Sequence, residues 1–374
     1  MILPPATLGM LGGGQLGRYF VMAAHRLGYK VVVLDPDPAS IAGAAADHHI
    51  VAAYDDPTAL HDLASRCAAV TCEFENVPAT ALALLEQYKP VRPAAGAVRI
   101  CQDRREEKAF LSRTGIPVAP NQTLQPGEPL PALPSDLFPA ILKTAREGYD
   151  GKGQWTIQAA DQLPAALAAS GVPCVLEQRL ALEGEFSLTL ARSPSGAIGA
   201  LPLVQNWHSG GILDQTRSPA KVPALEADAR HIAEQLIAAL DYVGVLTVEF
   251  FLVAGKLLVN ELAPRPHNSG HPSLDNAEYS QFELQVRALC DLPLPARIAV
   301  RPAMLLNLLG DLWQGGTPDW AALLALPGVH LHLYGKGEPR PGRKMGHVTI
   351  TAEDWPTVEE TCCQARQLLG LPPR

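Results

Sequence analysis

A chain of 374 residues, 47% hydrophobic and 18% charged, is too long for one ordinary core, and roughly 100 to 200 residues per domain gives two or three domains. Its net charge of -8 at pH 7, with no block of consecutive basic residues, excludes the electrostatic footprint of a nucleic-acid or anionic-membrane binder. Any phosphate-bearing ligand must be held by local cations. No basic leader precedes an apolar run, and no apolar stretch reaches about 18 residues. The seven cysteines form no CxxC pair. This odd count fits reduced thiols and a cytoplasmic protein, with the adjacent Cys362 and Cys363 serving helix packing.

The first elements alternate: "TLGML", a helix from Gln15 to Leu27, "KVVVLD", "HHIVAA", a helix from Pro57 to Ser65, "AAVTCEFE" and a helix from Pro78 to Gln87. Strands alternating with helices predict a parallel, Rossmann-like sheet. The turn "LGMLGGGQLGR" places Gly12, Gly14 and Gly17 in the GxGxxG spacing of a dinucleotide-binding turn. Asp35 ends the second run, where such a fold grips a ribose hydroxyl. Nothing after residue 100 supplies the substrate domain of a dehydrogenase, so Asp35 reads as a strand-end or turn residue.

From Cys101 the texture changes to α+β. A charged helix "DRREEKAFLSRTG" precedes a proline-rich loop, and "AILKTA" and "CVLEQRL" flank a glycine-rich loop and a helix. Then follow "SLTLAR", the helix "ADARHIAEQLIAALDYVG" and the hairpin "VLTVEFFLVAGKLLVNEL". A last segment from about Arg301 carries "VHLHLYG", "GHVTIT" and a terminal helix.

Four stretches carry chemistry. In "LKTAREGYDGKGQW", Gly148, Gly151 and Gly153 permit a mobile loop whose amides face an anion, with Lys143 and Lys152 as point charges. It is not a Walker loop, because no GK[ST] follows. In the hairpin, counting outward from a three-residue turn Ala254, Gly255 and Lys256 makes Glu249 and Glu261 direct cross-strand neighbours. Like charges so placed need a cation between them, and carboxylate oxygens suit magnesium. Asn260 falls on the opposite face unless the strand twists or ends. The loop "APRPHNSGH" packs Arg265, His267, Asn268 and Ser269 into five positions, and arginine's planar fork suits carboxylate or phosphate. His267 and His271 have no partner at zinc spacing, so zinc is not expected there. The turn "YGKGEPRPGRKMGH" gathers Lys336, Arg340, Arg343 and Lys344 as a clamp for a phosphorylated substrate.

Taken together these motifs are similar to those of the ATP-grasp superfamily. The combination of "GGGQLGR", "VTCEFENVP", "GYDGKGQ", "NELAPRPHNSGH" and "RPGRKMGH" resembles the 5-(carboxyamino)imidazole ribonucleotide synthetase family, from about Leu8 to His347. The resemblance implies a fold of α/β and α+β character: a Rossmann-like pre-ATP-grasp domain over 1–100, an ATP-grasp domain over 101–298 with a lid subdomain at about 115–182, and a small C-terminal domain over 299–374. It implies a ligase of purine biosynthesis that uses ATP and bicarbonate to carboxylate 5-aminoimidazole ribonucleotide through carboxyphosphate or released carbon dioxide. Magnesium is the implied metal, with manganese as an alternative, and a homodimer is the implied assembly.

Carried over residue by residue, the resemblance places Arg104 and Lys143 on the ATP phosphates under a lid of Gly148, Tyr149, Asp150, Gly151, Lys152, Gly153 and Gln154. Glu177, Gln178, Arg179 and Leu180 line the adenine, Glu185 meets the ribose, and His208 and Asn260 lie beside the nucleotide. Glu249 and Glu261 become the metal ligands. The ribonucleotide side takes Gly14, Gln15, Glu73, Tyr149, Asp150, Arg265, His267, Asn268, Ser269, Lys336 and Arg343, with Arg265 and Lys143 as catalytic residues. The lid departs from the family pattern: Ala145 and Glu147 stand where an arginine and a glycine are usual, with an arginine at Arg146 instead. Two other readings share the motifs: a different ATP-grasp ligase, such as formate-dependent glycinamide ribonucleotide transformylase, and a non-catalytic nucleotide-binding regulator.

Overall fold

The computed structural model describes residues 1–148 and 151–374. Tyr149 and Asp150, both expected in the lid, lie outside the described residues. The first 100 residues build a four-stranded parallel sheet from β1 (Thr7–Leu11), β2 (Lys30–Leu34), β3 (His48–Ile50) and β4 (Ala69–Cys72), in the order β3-β2-β1-β4. Val31, Val32 and Val33 are all buried, as expected of a parallel strand covered on both faces. Helix α1 (Gln15–Arg26) turns Phe20, Val21 and Ala24 into a core shared with Val286 and Leu289 of a later helix. Helix α2 (Pro57–Arg66) starts where Asp56 accepts from the Thr58 and Ala59 amides, with proline in the first turn. Helices α3 (Ala79–Glu86), α4 (Ala95–Gln102) and α5 (Arg104–Arg113) lead out of this unit.

A second, antiparallel sheet forms the lid subdomain from β5 (Asn121–Leu124), β6 (Ala140–Thr144), β7 (Gln154–Ile157) and β8 (Cys174–Gln178), in the order β5-β8-β6-β7. Helix α6 (Leu163–Ser170) covers it through Leu163 and Leu167.

The third sheet has nine strands: β9 (Gly184–Arg192), β10 (Ile198–Ala200), β11 (Val204–Ser209), β12 (Ile212–Ser218), β13 (Gly244–Val253), β14 (Lys256–Ala263), β15 (Ala303–Leu309), β16 (Val329–Leu333) and β17 (Lys344–Thr351). Its order is β14-β13-β9-β11-β12-β15-β17-β16, with β10 beside β9. Helix α7 (Pro223–Ala239) packs Ala229, Ala233, Leu236 and Ile237 on it. Next come α8 (Ser273–Asn276), α9 (Gln281–Cys290), α10 (Trp320–Leu324) and α11 (Trp355–Leu368).

The last segment therefore shares a sheet with the middle of the chain: β15 pairs with β12 from Gln215 with Leu306 to Ser218 with Ala303. β11 and β12 carry mixed polar residues, "VQNWHS" and "ILDQTRS", which hide the period-two signal, and the sequence reading passed over them. Cys362 packs in the α11 core with its thiol pushed up to about 12 by burial, while Cys363 is exposed. Among the described residues no helix is long and apolar enough to cross a membrane.

Candidate active site

The three sheets enclose a cleft of about 1140 Å³. Its N-terminal wall is the glycine turn before α1. Gly14 N donates to Glu73 Oε2 at 2.5 Å and Leu16 N to Glu73 Oε1 at 3.1 Å. The positive end of α1 thus holds an internal carboxylate, and only glycine fits at position 14, where a Cβ would lie 2.3 Å from Glu73 Oε1. Asp35 is likewise engaged, by Tyr54 Oη at 2.5 Å and the Asp37 amide at 2.9 Å. Gly14, Gln15 and Glu73 all line the cleft.

In the β13–β14 hairpin Glu249 stands directly opposite Glu261. The expected pairing holds, but the expected turn does not. Val253 pairs with Lys256 across a two-residue turn, and that register alone would set Glu249 against Asn260. A bulge between Glu249 and Phe250 absorbs Asn260 and restores the carboxylate pair. By bending the strand, the bulge also brings Asn260 to the cleft wall beside Glu261, although strict alternation would send it to the other face. Asn260 Oδ1 is buried with no hydrogen-bond partner among the described residues.

Each carboxylate has its own cationic or donor neighbour. Arg104 donates to Glu261 Oε2 at 2.7 Å and to Gly148 O at 3.1 Å, joining the hairpin to the lid. Burial raises the Glu261 carboxyl, but Arg104 outweighs it and holds the group down at about 2. His267 accepts the Ser269 amide at Nδ1, so its Nε2 carries the proton and meets Glu249 Oε1 at 3.0 Å.

Beneath the lid lies a buried ionic cluster. Lys143 donates to Glu177 Oε2 at 3.0 Å, and Lys108 Nζ lies 3.5 Å from Glu177 Oε1 while donating to Asn260 O at 2.7 Å. Burial lowers the Lys143 ammonium. The two lysines overcome the burial of Glu177 and hold its carboxyl below the usual range. Glu177 therefore enters the site through its side chain. Within reach of Lys108, Arg104 and Glu261, Glu107 accepts from the Leu262 amide at 2.6 Å, and burial pushes its carboxyl up to about 7.

The donor loop is tied down at several points. Arg265 grips Glu75 through Nε and through Nη2, the latter at 3.1 Å. Burial raises the Glu75 carboxyl, and the guanidinium overrides it. Asn268 and Asn307 of β15 exchange amide hydrogen bonds at 3.0 and 2.9 Å. Ser269 is fully buried behind His267 and bonds Ser187 at 2.6 Å.

Most of the expected residues line this one cleft: Arg104, Lys143, Gly148, Gly151, Gln154, Glu177, Gln178, Arg179, Leu180, Glu185, His208, Glu249, Asn260, Glu261, Arg265, His267 and Asn268. His208 Nδ1 lies 3.0 Å from Glu185 Oε2, an ion-pair distance without hydrogen-bond alignment. Lys152, Gly153, Ser269, Lys336 and Arg343 do not line it. Arg343 donates to Glu338 O within its own turn and Lys336 sits over the Tyr334 ring, whereas Lys344, two strand positions before Gly346, reaches the cleft. Glu75, Glu107 and Lys108 are site residues that the sequence reading passed over. Only the second glutamate of "EFEN" and the charged helix start "RREEK" pointed toward them.

Three family models match along the chain: a ribonucleotide synthetase preATP-grasp domain over residues 5–102, an ATP-grasp domain over 109–282 and a phosphoribosylaminoimidazole carboxylase C-terminal domain over 303–361. N5-carboxyaminoimidazole ribonucleotide synthase of Brucella melitensis is 43% identical over 352 residues, covering 92% of this chain and 96% of that protein. The chain belongs to the N5-carboxyaminoimidazole ribonucleotide synthase family. Solved structures of family members match nearly all of the chain. N5-carboxyaminoimidazole synthetase from Staphylococcus aureus complexed with ADP is 36% identical with a TM-score of 0.89, covering 99% of this chain and 98% of that one. The Aspergillus clavatus enzyme in complex with ADP and 5-aminoimidazole ribonucleotide is 30% identical with a TM-score of 0.86, covering 98% of both chains.

Proposed function

We propose that this chain carboxylates 5-aminoimidazole ribonucleotide with ATP and bicarbonate, giving 5-(carboxyamino)imidazole ribonucleotide, ADP and phosphate in purine biosynthesis. The observation that carries the reading is the convergence, in one cleft, of a lysine-rich anion cradle, a bulged carboxylate pair and a donor loop. The Aspergillus clavatus relative, which binds ADP and the aminoimidazole ribonucleotide, supports the choice of ligands.

ATP would lie between the lid sheet and the nine-stranded sheet. Its adenine would sit along Glu177 to Leu180, with its phosphates at Lys143 and Arg104. Glu249, Glu261 and the unpartnered Asn260 Oδ1 make an all-oxygen set on the cleft wall, the ligand chemistry that magnesium takes. When bound there, magnesium supplies neutralising charge for the transferring phosphoryl group. Arg104 and His267 each engage one of the two carboxylates that would hold it.

In the first step a bicarbonate oxygen attacks the γ-phosphorus, the bond to ADP breaks, and carboxyphosphate forms. Lys143 and the lid amides stabilise the charge that spreads over the phosphoryl oxygens. In the second step the exocyclic amine of the ribonucleotide bonds to the carboxyl carbon, phosphate leaves and the amine releases a proton. Arg265 holds the bicarbonate-derived anion, with Glu75 fixing the plane of its guanidinium. Closure of the lid keeps water from carboxyphosphate. The ribonucleotide phosphate takes Lys344 in addition to the expected Lys336 and Arg343. A homodimer and a cytoplasmic setting complete the reading. The resemblance supports the first, and the seven free thiols are compatible with the second.

The test is ADP release by purified protein with magnesium and ATP, with and without bicarbonate and aminoimidazole ribonucleotide. Both additions are expected to accelerate release. No response to the ribonucleotide overturns the substrate assignment, and no response to bicarbonate overturns the carboxylation chemistry.

A further inference from the structure

A second set of ligating side chains lies outside the cleft, where α8 meets β16 and β17. Asp275, His332 and His347 bring one donor atom each within 4.8 Å of one another. His332 Nε2 is 2.9 Å from Asp275 Oδ2, and His330 Nδ1 is 3.7 Å from Asp275 Oδ1. His347 is fully buried; its Nδ1 meets Tyr334 Oη at 2.9 Å and its Nε2 has no hydrogen-bond partner among the described residues. His271, also fully buried, bonds Gln281 through Nδ1 at 2.9 Å, and its own Nε2 has no partner among the described residues. A buried polar atom left unpaired is costly, so the orphaned Nε2 of His347 needs a reason.

We propose that Asp275, His332 and His347 bind one divalent transition-metal ion of the zinc class. Two imidazoles and a carboxylate with an open fourth position are a zinc-type set, whereas magnesium takes oxygen donors. Tyr334 Oη lies 2.9 Å from Nδ1 of His347, and in the tautomer that donates this hydrogen bond the Nε2 lone pair is free for metal. The His332 and His347 rings stack at 4.4 Å and 10°, so their lone pairs run in parallel planes. Ligation turns the His332 ring out of the stack. That ring is 21% exposed while His347 is fully buried, so His332 is the ligand that reorients.

Asp275 follows the donor loop in the chain, and β17 begins with Lys344. A bound ion ties the donor loop to the C-terminal strands. Fifty-seven positions separate Asp275 from His332, which is why no zinc spacing is visible in the sequence.

The test uses the full chain, stripped with a chelator and held in excess magnesium so that the Glu249 and Glu261 oxygens are occupied. Cobalt(II) is added as the probe. The expected result is one equivalent bound with the visible absorption of a four-coordinate nitrogen and oxygen site, displacement by zinc, and a higher thermal midpoint. Asp275→Asn and His332→Asn should each weaken cobalt binding by at least about tenfold with unchanged far-ultraviolet circular dichroism, and Glu249→Gln should leave it unchanged. Absence of stoichiometric binding, binding unaffected in both ligand variants, or binding lost in Glu249→Gln overturns the proposal.

Discussion

Glu75 and Arg265, 190 positions apart, grip each other through two contacts between carboxylate and guanidinium. The pair joins the N-terminal unit to the donor loop, so each partner is held in orientation by an element from another part of the fold. Glu75→Ala leaves the guanidinium, 17% exposed, without its counter-charge. The expected loss is about 2–4 kcal/mol, below the fully buried limit because cleft water reaches part of the pair. Arg265→Ala should cost a similar amount, and the double variant should lose less than the sum. Urea denaturation of the four proteins in a double-mutant cycle measures the coupling, and strict additivity would show that the pair does not hold the units together.

Glu261 faces Glu249 across the bulge and accepts from Arg104. Glu261→Gln keeps size and an acceptor but removes the charge. Turnover is expected to fall by at least about a hundredfold, the scale seen when a group stabilising transition-state charge is lost, with unchanged far-ultraviolet circular dichroism. A folded protein of undiminished activity would return the carboxylate to a structural role.

The turn before α1 makes a paired stability prediction. At Gly14 a Cβ meets Glu73 Oε1 at 2.3 Å, whereas at Gly96 in α4 nothing lies within 4 Å. Gly14→Ala must push the carboxylate off the helix N-terminus and should cost about 1–3 kcal/mol. Gly96→Ala should stabilise the protein by about 0.5–1 kcal/mol through helix propensity and a less flexible unfolded chain. Thermal or urea unfolding of both variants decides it.

Glu107 gives a pH dependence of definite sign. Its carboxyl is raised by burial to about 7 in the folded protein, above the ordinary value of about 4.3 for an unfolded glutamate. Between those values the folded state binds more protons, so this group's contribution to stability falls as pH rises from about 4.3 to about 7. Glu107→Gln should remove that fall. The difference in unfolding free energy between parent and variant, measured across pH 4 to 8, should therefore shift in favour of the variant as pH rises. A flat difference would mean that Glu107 ionises normally.

The alternation of strands and helices before residue 100, the lid glycines and the hairpin carboxylates were legible because each depends on local periodicity or short spacing. The hairpin shows the limit of that reading. The pairing of Glu249 with Glu261 was reached from a three-residue turn, while the molecule reaches it with a two-residue turn and a bulge, and a bulge leaves no mark in the hydrophobic pattern. Glu75, Lys108 and Asn307 escaped for a different reason. Each matters through a partner far along the chain, Arg265, Glu177 and Asn268, and a single sequence does not record which distant charges meet. The polar strands β11 and β12, which bring His208 to the cleft, have too little alternation to announce themselves.

The seam between β12 and β15 has a consequence for engineering this fold. Cutting the chain near residue 300 would not separate two self-sufficient modules. It would strip a neighbour from the seven-residue β12 and expose the inner edge of β15, leaving two unprotected templates for aggregation. Exchanging the C-terminal piece with that of a relative is likewise a graft of one strand into another's ladder. The incoming strand must meet the positions from Gln215 to Ser218 in step, because a slip of one residue would turn its buried face outward.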